Sequence, residues 1–208
     1  MIELFTANTP NGKKISIMLE EIKYDYKVTL IDISKDDQFK PEFKKISPFS
    51  KIPVIKDHKN NICLFESGAI LIYLGEQSGK FYDQDKKTII DQWLMAQAAY
   101  VGPMLGQHHQ FHHYNPGKST FGEKRYFKVC TRIYKELNER LSTTEYLAGD
   151  FYSIADIAAF PWIARHEWHD IGLKNYEHLT RWYELISKRD AVQKGYDLFE
   201  TGEKISKV

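Results

Sequence analysis

The sequence predicts a two-part chain in which an α/β unit precedes an all-helical unit. Strand and helix signals alternate through about the first 80 of the 208 residues, whereas strand signals vanish from Lys86 onward. The first part has the order β-α-β-α-β-β-α, which is a complete small layered structure. A short polar stretch at 80–86 separates the parts, so we expect domains at 1–79 and 87–208.

Each element of the first part rests on a local pattern. Ile15, Met18, Leu19 and Ile22 repeat at i, i+3, i+4 and i+7, the spacing of one helix face. Residues 57–61 form a turn between two apolar runs, which predicts a hairpin. The predicted elements in chain order are a strand at 2–5, a helix after the turn at 9–12, a strand at 26–33, a weakly helical stretch at 38–47, strands at 52–55 and 62–65, and a helix with Ser67 as its N-cap.

The second part shows only helical periodicity. An apolar stripe runs along one predicted helix, with basic residues between its members. Ser153 and Asp156 have the spacing of a capping box, with Asp in place of the usual Glu, and this predicts a structural role for Asp156. The predicted helices span 88–105, 122–141, 153–166 and 176–188. The stripe consists of Phe127, Cys130, Ile133, Tyr134, Leu137 and Leu141.

The charge balance argues against two classes of partner. The 29 basic residues nearly equal the 28 acidic ones, for a net charge of +1. Neither half is polarised, since the first 80 residues carry 12 basic and 11 acidic side chains. Nucleic-acid binding and binding to an acidic membrane both need a basic face. We therefore expect neither partner.

Cysteine usage and apolar run length bear on location. Cys63 and Cys130 are isolated and form no C-x-x-C pair, which is typical of a reduced cytoplasmic chain. Both are expected to be inert, because Cys63 alternates with the residues of a buried strand and Cys130 lies on an apolar helix stripe. No apolar run approaches the ~18 residues of a spanning helix, and residues 1–5 lack a basic-then-apolar signal pattern. The expected location is the cytoplasm.

Six short segments occur in an order that resembles a known family. Three of them are Ile52-Pro53 opening a strand, Glu66-Ser67 at a helix start, and the capping segment 153–156. Together with the α/β-then-helical order, they resemble the glutathione transferase superfamily over nearly the whole chain. The other segments, at 9–12, 39–43 and 102–107, resemble its Ure2-like, nu-class branch, whose bacterial members reduce disulfides with glutathione.

The resemblance implies a fold, a co-substrate and an assembly. The first part would be a thioredoxin-like, glutathione-binding domain and the second the all-helical domain of the glutathione transferase fold. Glutathione would be the co-substrate, a small disulfide or an electrophile the second substrate, and no metal would be needed. The family normally forms a two-fold homodimer, with its site between the domains and near the interface.

The chemistry of the markers suits glutathione, which carries two carboxylates, an ammonium group and a thiol. Ser67, at a helix N-terminus, offers amide groups, a hydroxyl and the positive end of the helix dipole to a carboxylate. Glu66 can bind the ammonium group. Pro53, if its peptide bond is cis, turns the backbone of Ile52 toward the extended peptide. The alternative for Ser67 is an ordinary helix cap.

The turn at 9–12 is the candidate position of the sulfur. A thiol has a pKa near ~8.5, and a helix N-terminus with a hydroxyl or amide donor favours the thiolate. Thr9 and Asn11 are the candidate donors, although such residues also begin ordinary helices. No cysteine lies between residues 5 and 12, so disulfide chemistry at this site would use the glutathione sulfur as attacking and leaving group.

Three further contacts follow from the resemblance alone. Gln38 and Lys51 would contact the peptide backbone or the glycyl carboxylate. Arg125 would reach a glutathione carboxylate from the helical part, with Arg132 as the alternative. The competing interpretation for Lys51 and Arg125 is solvated surface, which suits most basic residues.

A histidine-rich segment at 107–113 offers a competing hypothesis. His108 with His112, and His109 with His113, have the i, i+4 spacing of helical zinc ligands. A third ligand is not evident in the sequence. By resemblance the segment borders the cleft of the second substrate, where the histidines would tune selectivity.

Three functions remain open at this stage. The first is reduction of small organic disulfides with glutathione and without a protein cysteine nucleophile. The second is conjugation of glutathione to electrophiles, and the third is a non-catalytic, glutathione-binding regulatory module. The presence of Thr9, Asn11, Glu66 and Ser67 together argues against the third.

Overall fold

The computed structural model describes residues 1–208. By contacts between residues, the chain divides into two compact units. The sheet unit contains Met1–Tyr82 together with Asp190–Lys204, and the helical unit contains Asp83–Arg189 together with Ile205–Val208. The domain boundaries at residues 79 and 87 remain a prediction, because these units are defined by compactness and not by independent folding.

The sheet unit holds one four-stranded mixed sheet. Its strands are β1 (Ile2–Thr6), β2 (Tyr26–Leu30), β3 (Val54–Asp57) and β4 (Ile62–Phe65), arranged in the order β2-β1-β3-β4. β1 runs parallel to β2 and antiparallel to β3, which in turn is antiparallel to β4. The predicted α/β order and hairpin are confirmed.

Two strand ends differ from the prediction. β2 ends at Leu30 because the chain turns at Asp32, whose carboxylate accepts a hydrogen bond from the Ser34 amide at 3.1 Å. β3 begins after Ile52 and Pro53, since a proline has no amide hydrogen for the ladder. The Ile52–Pro53 peptide bond is cis.

Four helices belong to the sheet unit: α1 (Pro10–Ile22), α2 (Pro41–Lys44), α3 (Ser67–Ser78) and α9 (Asp190–Tyr196). The weakly helical stretch predicted at 38–47 contains only the single turn of α2 and a short 3₁₀ turn before it.

The sequence analysis missed α9, which packs on α1. The Ser16 hydroxyl donates to the Gly195 carbonyl at 2.5 Å. A Cβ atom on Gly195 would lie 2.6 Å from the Ile17 backbone, so this approach requires glycine.

The helical unit contains α4 (Lys87–Ala96), α5 (Gly102–His108), α6 (Thr120–Thr143), α7 (Ile154–Ile163) and α8 (Glu177–Ser187). The helices predicted at 122–141, 153–166 and 176–188 are present with shifted ends. Of the predicted stripe, Cys130, Ile133, Tyr134, Leu137 and Leu141 are buried, whereas Phe127 is 39 % exposed. None of the helices in the chain is both long and apolar enough to cross a membrane.

The helix predicted at 88–105 is not regular. A π-helical segment, Gln97–Val101, joins α4 to α5, and a second one, His109–Tyr114, follows α5. Pro103 cannot donate an α-helical hydrogen bond, and a widened turn precedes it. The second π-helical segment contains three of the clustered histidines.

Candidate functional site

A cavity of about 140 Å³ lies at one edge of the sheet unit. The register brings its walls together, because Phe5, one residue before the end of β1, pairs with Val54, which also pairs with Phe65 at the end of β4. The loops that follow β1, precede β3 and follow β4 therefore meet at this edge. The cavity is lined by Asn11, Ser47, Phe49, Lys51, Ile52, Pro53, Phe65, Glu66 and Ser67.

The N-terminus of α3 forms one wall of the cavity. Glu66, with φ 72° and ψ 113°, is the N-cap residue and makes no side-chain capping bond, and Ser67 is the first helical residue. The prediction that Ser67 is the N-cap is therefore wrong by one residue, because the turn at Glu66 already starts the helix: its carbonyl accepts from the Ile70 amide at 2.9 Å. Because Ser67 is not the N-cap, the alternative interpretation of Ser67 as an ordinary helix cap is also wrong.

Lys14, on α1, is a residue that the sequence analysis missed. It is buried, and its Nζ donates to Ser67 Oγ at 3.2 Å. Burial lowers the pKa of Lys14 to about 7, while the Glu66 carboxylate acts to raise it. A signal existed in the sequence: Lys14 lies four residues before Met18, on the face of α1 that the apolar spacing already marked as buried.

Thr9 is the N-cap of α1, and its hydroxyl accepts from the Gly12 amide at 3.2 Å. A Cβ on Gly12 would lie 2.5 Å from the Ala7 carbonyl oxygen, so the turn needs glycine there. Thr9 is half-buried and does not line the cavity, whereas Asn11 does. The structure thus gives Thr9 the role of an ordinary helix start; a hydroxyl that accepts one bond can still donate its own hydrogen.

The loop before β3 is held by one buried serine. Ser47 Oγ accepts from the Lys51 amide at 2.9 Å and donates to the Lys51 carbonyl at 2.7 Å. These bonds fix the backbone that leads to Ile52, while the Lys51 side chain is exposed at the cavity.

Gln38 does not line the cavity. It lies in a 3₁₀ turn after β2, with its side-chain amide 3.5 Å from the Asp36 carboxylate, and its buried Oε1 has no hydrogen-bond partner.

Arg125 and Arg132 lie in one groove of the helical unit. Both line a cavity of about 610 Å³ along α6, so the structure does not separate the two alternatives. The other lining residues are Tyr100, Met104, Phe121, Lys124, Lys128 and Val129.

The histidine segment forms a buried network and not a set of converging ligands. His109 Nε2 lies 2.8 Å from His169 Nε2, and the Tyr134 hydroxyl lies 2.6 Å from His169 Nδ1. The rings of His108 and His112 stack in parallel, 4.8 Å apart. Burial lowers the pKa of His109 to about 3 and that of His169 well below its usual value. No group of three or more His, Cys, Asp or Glu side chains is placed to hold a metal ion.

The two cysteines differ in their exposure to solvent. Cys130 is buried, and burial raises the pKa of its thiol to about 12. Cys63 is exposed on β4, which is not the buried strand that the sequence suggested. Partial burial raises the pKa of its thiol. Strand alternation alone could not decide which face of β4 is covered. Neither cysteine lines the cavity.

Comparison with known proteins supports the resemblance. The N-terminal domain of glutathione S-transferases matches residues 2–76, and the C-terminal domain matches residues 122–190. The disulfide-bond oxidoreductase YfcG of Escherichia coli K12 is 43 % identical over 198 residues, which cover 92 % of each chain.

Solved structures of glutathione transferases are also similar to this chain. A glutathione transferase from Burkholderia graminis with two glutathione molecules bound per subunit has a TM-score of 0.90 and 35 % identity, over 97 % of this chain and 89 % of its own. One from Pseudomonas putida with one glutathione disulfide bound per subunit has a TM-score of 0.88 and 36 % identity, over 95 % and 91 %. The predicted fold and the prediction of a glutathione transferase-like enzyme are confirmed: the chain belongs to the glutathione S-transferase family.

Proposed function

We propose that the sheet-unit cavity binds glutathione or glutathione disulfide and that the protein reduces small organic disulfides by thiol–disulfide exchange. The open N-terminus of α3 carries the proposal, because Ser67 and Glu66 there line the same cavity as Asn11. The name of the E. coli relative and the glutathione disulfide bound to the P. putida relative support the same chemistry.

Each part of glutathione has a proposed partner. Ser67 and the first amides of α3 bind the γ-glutamyl carboxylate, and Glu66 binds the ammonium group. The Ile52 backbone pairs with the extended peptide, and Lys51 binds the peptide backbone or the glycyl carboxylate. Gln38 keeps its assignment to the same end of the peptide by family resemblance only, since it lies outside the cavity lining.

Thr9 and Asn11 are proposed to bind the sulfur at the N-terminus of α1. The Asn11 amide and the Thr9 hydroxyl are donors that favour the thiolate over the thiol, as does the positive end of the helix dipole. Catalysis then comes from positioning and from stabilisation of the thiolate.

The reaction balances without a protein cysteine. A glutathione thiolate attacks one sulfur of the disulfide, the S–S bond breaks, and the departing thiolate takes a proton from water. A second glutathione attacks the mixed disulfide and releases the second thiol, so two glutathione molecules are oxidised to glutathione disulfide and one disulfide is reduced to two thiols. The two glutathione molecules bound per subunit in the B. graminis relative suit this sequence.

Arg125 is proposed to bind a glutathione carboxylate, with Arg132 in the same groove as the alternative. The matched pair Arg125→Ala and Arg132→Ala distinguishes them, because only the arginine that binds the carboxylate weakens glutathione binding when it is removed. A two-fold homodimer and a cytoplasmic location complete the proposal.

The test is glutathione-dependent reduction of a small mixed disulfide, measured beside conjugation of a chlorinated nitrobenzene with the same metal-free protein. We expect rapid reduction and weak conjugation, and we expect the double variant Cys63→Ser, Cys130→Ser to retain the reductase rate. The reverse pattern would make the protein a conjugating transferase. Binding of glutathione with neither activity would indicate a regulatory module.

The variant Thr9→Ala, Asn11→Ala tests the sulfur site. We expect kcat for disulfide reduction to fall by about 10- to 100-fold with a smaller change in KM, because donors to a developing thiolate act on turnover more than on binding. Thr9→Ser is the matched control, since it keeps both the helix cap and the hydroxyl. A double variant with the full rate would assign activation of the sulfur to another group.

A further inference from the structure

Lys14 is a buried cation beside a helix N-terminus. Its ammonium group donates to Ser67 Oγ at 3.2 Å, and Ser67 is the first residue of α3. The positive end of the α3 dipole and the Lys14 ammonium are therefore close to each other. Like charges at this place destabilise one another.

Packing alone does not account for a lysine at this position. A buried ammonium loses its hydration, and apolar residues of similar volume commonly replace such groups without loss of stability. Glu66 is the carboxylate coupled to Lys14, but its side chain is exposed at the mouth of the cavity. An anion at Ser67 would interact favourably with both the ammonium and the helix N-terminus.

The hydrogen bond also directs the serine. A hydroxyl has one hydrogen to donate and accepts through its lone pairs. When Ser67 Oγ accepts from Lys14, its own hydrogen is left to donate to another acceptor. Ser67 lines the cavity, so that acceptor can be a ligand carboxylate.

We propose that Lys14 is a positioning residue for carboxylate recognition: it orients the Ser67 hydroxyl toward the γ-glutamyl carboxylate of glutathione and supplies the buried counter-charge. The inference rests on the proposed binding of glutathione. It adds to that proposal a charged residue that lies behind the cavity wall and is absent from its lining.

A proton accompanies the carboxylate in this arrangement. Lys14 has a pKa lowered by burial to about 7, and a bound carboxylate favours the charged form. Among the charged groups nearby, Glu66 acts on the pKa of Lys14, whereas Lys13 pairs with Glu203 at 2.5 Å and Glu3 on β1 accepts from the Thr29 hydroxyl at 2.8 Å. Binding should therefore take up protons near pH 7.5, and affinity should fall as the pH rises from 7 to 9.

The experiment is a binding cycle between Lys14 and the ligand carboxylate. The probes are S-methylglutathione, which has no thiol to titrate, and its analogue in which a 4-aminobutanoyl group replaces the γ-glutamyl group and so removes only that carboxylate. Calorimetry gives Kd for the wild type, Lys14→Met, Lys14→Arg and the matched control Lys13→Met, which changes the neighbouring buried lysine. Two buffers of different ionisation enthalpy give the number of protons taken up.

We expect removal of the carboxylate to weaken wild-type binding about 30-fold and Lys14→Met binding only about 3-fold, since charged hydrogen bonds typically contribute at this level. Lys14→Arg should restore part of the difference, and Lys13→Met should behave as the wild type in this ratio. Proton uptake should disappear in Lys14→Met.

Equal losses in the wild type and Lys14→Met would overturn the inference and give Lys14 a purely structural role. If Lys14→Met does not fold, the wild type decides, because binding without proton uptake at pH 7.5 contradicts a titrating Lys14. If the wild type binds neither S-methylglutathione nor glutathione disulfide, the proposed function itself is wrong.

Discussion

Two helices of this protein have a serine and an acidic residue at their N-terminus, and they use these residues in different ways. At the start of α7, Ser153 Oγ accepts from the Ala155 amide at 3.3 Å, and the Asp156 carboxylate accepts from the Ser153 amide at 3.0 Å. At the start of α3, Glu66 makes no capping bond and Ser67 is engaged by Lys14.

The difference separates a helix start that stabilises the fold from one that can bind a ligand. Asp156 is fully buried and also accepts from the Leu147 amide and from the Trp182 indole, both at 2.9 Å. The carboxylate of Asp156 is thus fully used by donors within the chain, whereas the first turn of α3 lines a cavity. A serine at a helix start is informative about binding only when the chain does not use it as a cap.

Removal of the α7 acceptor should have the largest effect. Asp156→Ala leaves the Trp182 indole and two backbone amides buried without a partner, so we expect the free energy of unfolding to fall by about 3–5 kcal/mol. Chemical denaturation at pH 7.5 measures it. A loss below about 1 kcal/mol would show that the network stabilises little.

A crossed pair of serine variants sharpens the comparison. Ser153→Ala should lower the free energy of unfolding by about 1 kcal/mol, the usual cost of a lost cap, and leave glutathione affinity unchanged. Ser67→Ala should instead weaken glutathione binding by about 1–3 kcal/mol. It also removes the acceptor of the buried Lys14 ammonium, so some loss of stability is expected beside the loss of affinity. The two proteins are compared by denaturation and by calorimetry. Equal effects in both measurements would remove the distinction between the two helix starts.

The smallest expected effect is a gain in stability at the binding helix. Glu66 has a positive φ that a glycine adopts without steric cost, so Glu66→Gly should raise the free energy of unfolding by about 1 kcal/mol. The same change should weaken glutathione binding, because the partner of the ammonium group is lost. Glu66→Ala, which keeps the unfavourable φ, is the control and should gain no stability.

Elements that depend on short spacings were predictable from the sequence. The apolar face of α1 and the capping box of Ser153 and Asp156 are local patterns, and the structure confirms both. The family markers also located most of the cavity lining, since Asn11, Lys51 and Ser67 meet there.

Features that depend on distant contacts were not predictable. The position of Lys14 on the buried face of α1 was readable, but its contact with Ser67 was not, because that contact depends on the packing of α3 against α1. Cys63 is exposed because one face of β4 is left uncovered, which its alternating pattern does not reveal. The seven residues of α9 are too few for a periodic signal, and the helix is held by its contact with Ser16.

The position of α9 has a consequence for how the protein is made. The glutathione-transferase N-terminal match ends at residue 76, yet the compact unit that contains it also includes Asp190–Lys204. During synthesis on the ribosome, the first 82 residues emerge long before the segment that covers α1. The sheet unit should therefore complete its packing only after the intervening helical residues and the segment Asp190–Lys204 have emerged. A nascent chain stalled before residue 190 should leave Ser16 and Lys13 open to solvent.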